Sequence, residues 1–477
     1  MKRHCLFPLL LFWLLVSCTE GRREPSEAEL SAFGTYVDSL DTALTGHWFN
    51  RMGVSEQADS LLEYLRRELP RNGLDTAAFF VPQIAEDLDI VYTLAFDSVG
   101  QSINEVLKRL DDNLSKAYVD YATGQRYGFI QPGKVFNRLQ LEPDSSGYVH
   151  LFDYEVKVPD YSEAETALSS SDRMAFLRAS EPTGHVYRAL QTELLKTTDK
   201  QKRQTLAVNM ERCRWQMKHP DETERMVLVN IPSQQLWAVC PDSVLNMRIC
   251  CGAVATKTPL LNSAITHIQV NPEWIIPQKI VLSDVARHGG DSAYFARNNY
   301  FIVDRSIGDT LSPAEVSPDQ LRSGRLRVGQ RGGAGNSLGR IVFRFLNNFS
   351  VYLHDTNNRG AFQRDRRTLS HGCVRVEKPF ELACFLQPEA EDWDKEKLRL
   401  SMDIPPETDR GREYLEEHQD APRPLRLTSY LKVSPQVPVY IIYFTAYPSL
   451  ETGTVDFWPD LYNYDAAIVK SFKPFIE

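Results

Sequence analysis

The sequence predicts an α+β multidomain protein: a mainly helical N-terminal half, then a β-rich half interrupted by an inserted subdomain. Three observations carry this. Apolar residues recur at helical spacing through most of the stretch from Leu30 to Asp221. From Met226 the pattern changes to short runs of β-branched and aromatic residues. Within that half, residues 278–335 turn polar and irregular, with Gly332-Gly333-Ala334-Gly335 as a flexible break. A chain of 477 residues is too long for one compact core, so two or three domains are expected.

The chain opens with Lys2 and Arg3 ahead of an apolar run from Cys5 to Val16, too short to span a bilayer. The run ends in Leu15-Val16-Ser17-Cys18, which resembles a bacterial lipobox. Residues 1–17 are therefore expected to be a signal peptide, Cys18 the lipidated new N-terminus and 18–29 a polar tether. The competing reading is an ordinary signal peptide with an incidental cysteine. Lipidation would place the remainder in the bacterial cell envelope, periplasmic and anchored to the outer membrane. Apart from Cys5 and Cys18, six cysteines remain (213, 240, 250, 251, 373 and 384), and no Cys-x-x-Cys pair occurs.

In the helical domain, 30–221, one apolar face is carried by Ala58, Leu61, Leu62, Leu65 and Leu69 and stops at Pro70. A second helix starts at a capping box, Ser102 with Glu105. It carries Ile103, Val106, Leu107, Leu110, Leu114, Ala117, Tyr118 and Tyr121 before Thr123-Gly124. A third helical region covers Tyr187 to Trp215, and the segment between reads as loops with a short strand or two. Such stripes are core, so this half reads as scaffold.

The β-rich domain, 222–400, begins with a strand at Met226–Pro232. Runs at 235–239 and 244–249 are joined by a turn at Pro241-Asp242-Ser243, so Cys240 and Cys250 sit at opposite ends of a hairpin. Extended runs follow at 265–270, 340–345 and 349–353. Residues 401–426 read as a charged linker, and 427–477 as a β-rich extension packed on the domain before it. The net charge of −9 argues against non-specific nucleic-acid binding, and the Arg364, Arg366, Arg367 run reads as a solvated loop.

Chemistry concentrates between Tyr352 and Pro379. His354 ends a strand; nineteen residues on, Cys373 sits in Ser370-His371-Gly372-Cys373-Val374-Arg375, ahead of a helix starting at Pro379. The thiolate is the reactive form of cysteine, so catalysis needs a base with fixed orientation beside it. Two histidines qualify. Zinc ligation is the competing reading, but the spacing matches no familiar template and a fourth ligand is missing. Cys384, on the apolar face of the following helix, reads as core.

His354-Asp355-Thr356 with Ser370-His371-Gly372-Cys373-Val374-Arg375 resembles the signature of the YkuD-type L,D-transpeptidases. Leu228-Val229-Asn230-Ile231-Pro232, Asn271-Pro272-Glu273-Trp274-Ile275-Ile276-Pro277 and Asn336-Ser337-Leu338-Gly339-Arg340 are similar to the large, YcbB-like branch, whose N-terminal scaffold domain the helical half resembles. The resemblance implies a YkuD-type catalytic domain with 278–335 as its capping subdomain. It makes Cys373 the nucleophile, His354 the general base, Gly372 part of the oxyanion loop, and His371 a loop residue and second candidate base. Arg375, Ser370, Tyr352 and Trp274 become substrate-binding residues. It implies no metal and no cofactor, peptidoglycan stem peptides as partners, cell-wall biogenesis and cell shape as the process, and carbapenems as inhibitors. The implied reaction releases D-alanine through a cysteine thioester and makes 3→3 cross-links. Water or a protein lysine as acceptor would instead give carboxypeptidase, endopeptidase or wall-attachment activity. The small peptidoglycan-binding module of many relatives has no room between Leu190 and Trp215, which leaves wall targeting to the lipid anchor.

Two readings from other classes remain. A papain-like peptidase would carry its cysteine before its histidine, and here the order is reversed. A non-catalytic peptidoglycan-binding lipoprotein would need no activated thiol. For the anchor, growth with a labelled fatty acid should tag the wild type and leave Cys18→Ala untagged; equal labelling would exclude lipidation at Cys18.

Overall fold

The computed structural model describes residues 40–41, 44–50, 53–137, 150–220 and 223–476. Cys18, the signal peptide and the tether lie outside the described residues. Among the described residues, no helix is long and apolar enough to cross a membrane.

The helical half is built on three long helices and a tightly paired fourth and fifth. Helix α1 (Glu56–Arg71) buries the predicted stripe and carries Pro70 in its last turn, where Asn72 closes the end on the carbonyls of Glu68 and Leu69. Helix α2 (Val81–Thr93) packs between α1 and α3 (Ile103–Tyr127). The capping box of α3 forms as expected: Ser102 Oγ accepts the Glu105 amide, and Glu105 Oε2 accepts the Ser102 amide. The helix runs past Thr123-Gly124 instead of stopping there. Gly124 is retained because the Phe129 ring lies 2.0 Å from where a Cβ would stand. The single helical region expected at 187–215 is two helices, α4 (His185–Lys196) and α5 (Lys200–Arg214), broken where Asp199 caps α5 by accepting the Lys202 amide.

Eight strands of the second half close into a barrel. They are β1 (Met226–Asn230), β2 (Gln235–Cys240), β3 (Ser243–Gly252), β4 (Leu260–Val270), β8 (Ile341–Phe345), β9 (Leu353–His354), β10 (Val374–Val376) and β11 (Tyr430–Ile442). The order around the ring is β8-β9-β10-β3-β2-β1-β11-β4, and β4 pairs with β8 to close it. All pairs are antiparallel except β9 with β10 and β11 with β1. Closure leaves no free edge among these strands. The run expected as a strand at 349–353 is extended only at β9. Before it, the Asn347 side chain accepts the amides of Phe349 and Val351 and donates to the carbonyls of Phe345 and Val351, knitting a loop. All six described cysteines are free thiols.

The inserted segment is more ordered than its polarity suggests. Strands β5 (Trp274–Ile275), β6 (Tyr300–Asp304) and β7 (Leu326–Gln330) form a sheet with Thr310–Leu311, and Ile276, Val281, Val285, Phe295, Ile302, Leu321 and Val328 fill a separate small core. Its sheet begins at Trp274, ahead of residue 278. The glycine run at its end is a tight junction, not a flexible break. A Cβ on Gly332 would stand 2.3 Å from the Asn271 carbonyl oxygen, and Asn336 ties the turn to the carbonyls of Pro272 and Arg331.

Four further expectations are corrected. The "linker" at 401–426 carries a helix, α8 (Asp409–Glu417), seated on α7 (Asp392–Ser401) so closely that a Cβ on Gly411 would meet Glu396. Arg367 is buried, and its guanidinium donates to the carbonyls of Ile249, Arg364 and Gln234. The segment 427–477 is not packed outside the domain: β11 is a barrel strand between β1 and β4, and helix α9 (Tyr464–Phe472) follows it. Cys384, expected in the core, is only half-buried.

Helix α9 and the turn after it dock on the helical half. The Phe475 ring lies tilted against Phe129 with the centroids 4.9 Å apart, and its carbonyl accepts the Asp75 amide. Arg212 of α5, nearly fully buried, pairs with Asp465 at 2.5 Å; Thr445 donates to the same carboxylate, and Asn209 bonds both the amide and the hydroxyl of Thr445. Removing one partner of such a pair leaves an uncompensated buried charge. Asp465→Ala should therefore lower stability by about 3 kcal/mol in urea unfolding; an unchanged midpoint would mean that this clamp does not hold the two halves together.

Candidate active site

The site is set by two very short strands in parallel. Leu353 pairs with Val374 and His354 with Arg375. Leu353 and Val374 are fully buried in the barrel core. Side chains alternate along a strand, so Tyr352, His354, Cys373 and Arg375 share the opposite face. The antiparallel pairing of Val342 with His354 adds Arg344 to this face, and its guanidinium lies 4.7 Å from the centre of the Tyr352 ring. Tyr352 and His354 meet edge to face at 5.7 Å.

Cys373 is half-buried, its thiol 3.8 Å from the Ser350 carbonyl and in hydrogen-bond contact with Tyr352. Burial pushes the thiol pKa up; the Tyr352 hydrogen bonds, Arg344 and Arg375 pull the other way without cancelling it. His354 is buried, which brings its pKa down to about 3; Arg375 adds to the depression, and the backbone at Asp355 and Leu338 opposes it. Its Nδ1 has no hydrogen-bond partner, leaving that nitrogen available to take a proton. Burial thus favours the neutral form of both the thiol and the imidazole.

The loop before Cys373 is closed by Ser370, whose Oγ donates to the Cys373 carbonyl at 2.5 Å and accepts the Gly372 amide at 3.1 Å. Gly372 has φ +120°, a conformation that side chains resist. Its amide, expected to line an oxyanion hole, is therefore occupied; the Cys373 amide has no protein acceptor among the described residues. His371 is exposed. Trp274 lies beside Tyr352 from β5 and brings the inserted sheet to the catalytic face.

The structure thus brings Cys373, His354, Tyr352, Arg375, Ser370, Gly372 and Trp274 together, and leaves His371 outside the buried face. Sequence reasoning missed Arg344, Ser350 and Asp355. Asp355 accepts the Arg340 amide and the Arg359 guanidinium, which fixes the chain directly after His354. The signal for Arg344 was a lone arginine in the apolar run Ile341–Phe345. Neither Arg344 nor Arg375 lies within ion-pair distance of a carboxylate among the described residues, and Arg375 Nε is buried without a partner. No group of three or more His, Cys, Asp or Glu among the described residues is placed to hold a metal.

Residues 224–395 match the L,D-transpeptidase catalytic domain of the YkuD family, and 44–194 match a scaffold domain. The chain carries a YkuD L,D-transpeptidase catalytic domain behind an N-terminal scaffold domain. A curated protein of Haemophilus influenzae, provisionally named an L,D-transpeptidase, is 29% identical over 325 residues, 66% of this chain and 60% of the relative. The chain thus matches about three-fifths of that relative's length. Among solved structures, L,D-transpeptidase 1 of Mycobacterium tuberculosis aligns at 10% identity and TM-score 0.18, over 46% of this chain and 61% of that one. A mutant of the Enterococcus faecium L,D-transpeptidase aligns at 11% identity and TM-score 0.20, over 69% of this chain and 82% of that one. These scores are too low to define a shared overall fold. Strand β11 lies beyond the segment matched by the catalytic-domain family, although the barrel needs it to close.

Alkylation of Cys373 by iodoacetamide reports thiolate. With the pKa raised, the thiol is protonated at neutral pH, and the rate should keep climbing past pH 9. A plateau already reached at pH 7 would reveal a preformed ion pair.

Proposed function

We propose that the protein is a cysteine-dependent L,D-transpeptidase that acts on peptidoglycan tetrapeptide stems and makes 3→3 cross-links. The observation that carries this is the shared face of β9 and β10, where a thiol, an imidazole with an unbonded Nδ1, a tyrosine and two arginines with no carboxylate partner among the described residues converge.

The Cys373 sulfur attacks the carbonyl carbon between the third residue and D-alanine as its proton passes to His354. The tetrahedral oxyanion is held by the Cys373 amide. Collapse breaks the C–N bond, His354 returns the proton to the departing D-alanine amine, and a thioester remains. The amine of a second stem then attacks the thioester, giving its proton to His354, and the thiol is restored. A depressed imidazole pKa keeps the base form present across the neutral range, and burial keeps bulk water from competing for the proton. Arg344 and Arg375 offer cationic donors to the carboxylates of the stem. Water as acceptor gives carboxypeptidase or endopeptidase activity on the same thioester, and a protein lysine gives wall attachment. Within this reading the protein works in the cell envelope, periplasmic and held by lipid on Cys18.

Incubation with a carbapenem should add one acyl mass to the wild type at Cys373 and none to Cys373→Ala, and digestion of sacculi with the wild type should yield 3→3 dimers. An unmodified wild type would favour a non-catalytic wall-binding protein. An adduct without dimers would point to water or a protein as acceptor.

A further inference from the structure

The loop that presents Cys373 does not stand alone. The Ser370 carbonyl is held from one side by two donors, the Ala253 amide at 2.9 Å and the Thr256 hydroxyl at 2.8 Å. Both belong to the turn that follows β3. That turn is wound tightly: the Gly252 amide donates to Thr258 Oγ1 at 2.8 Å, and a Cβ on Gly252 would stand 2.1 Å from the Thr256 carbonyl oxygen. A loop this dense has little freedom of its own, so whatever grips it also fixes Ser370.

The grip comes from the C-terminal segment. The Tyr462 hydroxyl, buried, donates to the Gly252 carbonyl at 2.6 Å and accepts the Thr258 amide at 3.3 Å, pinning both ends of the turn with one oxygen. Tyr462 is held in turn. Its amide donates to Tyr443 Oη at 2.8 Å, its ring stacks on Tyr443, and Tyr443 donates to Asp460 at 2.6 Å. Asp460 accepts the first amides of α9, and α9 carries Asp465, the partner of Arg212 in α5 of the helical half. A chain of directional bonds therefore runs from the helical half to the nucleophile loop.

We propose that Tyr462 is a positioning residue for acyl transfer: through the Gly252–Thr258 turn it holds Ser370, and through Ser370 it aims the Cys373 amide at the developing oxyanion. This gives the helical half and the C-terminal segment a part in catalysis, beyond stability. The proposal rests on the acyl-transfer reading above.

Two reactions of the same thiol separate its consequences. Carbapenem acylation passes through an oxyanion and depends on that amide; alkylation by iodoacetamide displaces iodide at a saturated carbon and needs no oxyanion donor. In the full-length protein, Tyr462→Phe should slow acylation of Cys373 about tenfold or more while its alkylation rate stays within about twofold of wild type. Thr256→Val cuts the chain one link closer to Ser370 and should show the same split, which covers the case in which Tyr462→Phe folds poorly. Both rates are read by mass spectrometry on the Cys373 peptide, because five other described thiols are free. Acylation at the wild-type rate in both variants would overturn the proposal, as would an equal fall in both reactions. A wild type that is not acylated at all would overturn the acyl-transfer reading instead.

Discussion

The structure depends on the register of β9 against β10. These strands share only two residue pairs, Leu353 with Val374 and His354 with Arg375, yet the register decides which side chains face the core and which face the substrate. A slip of one residue between them would put Cys373 and His354 on opposite faces of the sheet, parting the nucleophile from its base. Two pairs cannot secure a register by themselves. It is imposed from outside by β8, by β3 and by the Asn347 loop that delivers the chain to Tyr352. The rest of the barrel can be read as the apparatus that makes this alignment the one that buries the two apolar residues.

The second constraint is that the catalytic domain is not continuous in sequence. Strand β11 lies between β1 and β4 and pairs in parallel with β1 across more than two hundred intervening residues. Parallel pairing across a long separation forms only when both partners are already held, and the α9 clamp on the scaffold domain supplies part of that hold. The two halves are therefore interlocked: the last strand enters the barrel, and the helix after it returns to the scaffold.

Much of this was legible. Periodicity located α1 and α3, the capping box marked the start of α3, and Ser370–Arg375 with His354 located the site. What was not legible depended on partners far away in sequence. Gly124 looks like a helix stop until Phe129 is seen to fill its place. Arg367 looks solvated until three carbonyls are found around it. The run 430–442 shows the alternation of a strand and says nothing about which sheet receives it. The inserted segment was misjudged because its core is small, so polar residues dominate its composition while a few apolar ones do the packing. At the site, apolar neighbours bias the charge states: burial favours the neutral form of both members of the Cys–His pair, which no motif announces.

The position of β11 also bears on how this gene can fail. A reading frame interrupted between Pro379 and Tyr430 would still encode Cys373, His354 and every motif around them, and would carry no barrel to align them. Late nonsense alleles should behave as nulls, and an intact signature motif in a genome is no guarantee of a working protein unless the downstream strand is present as well.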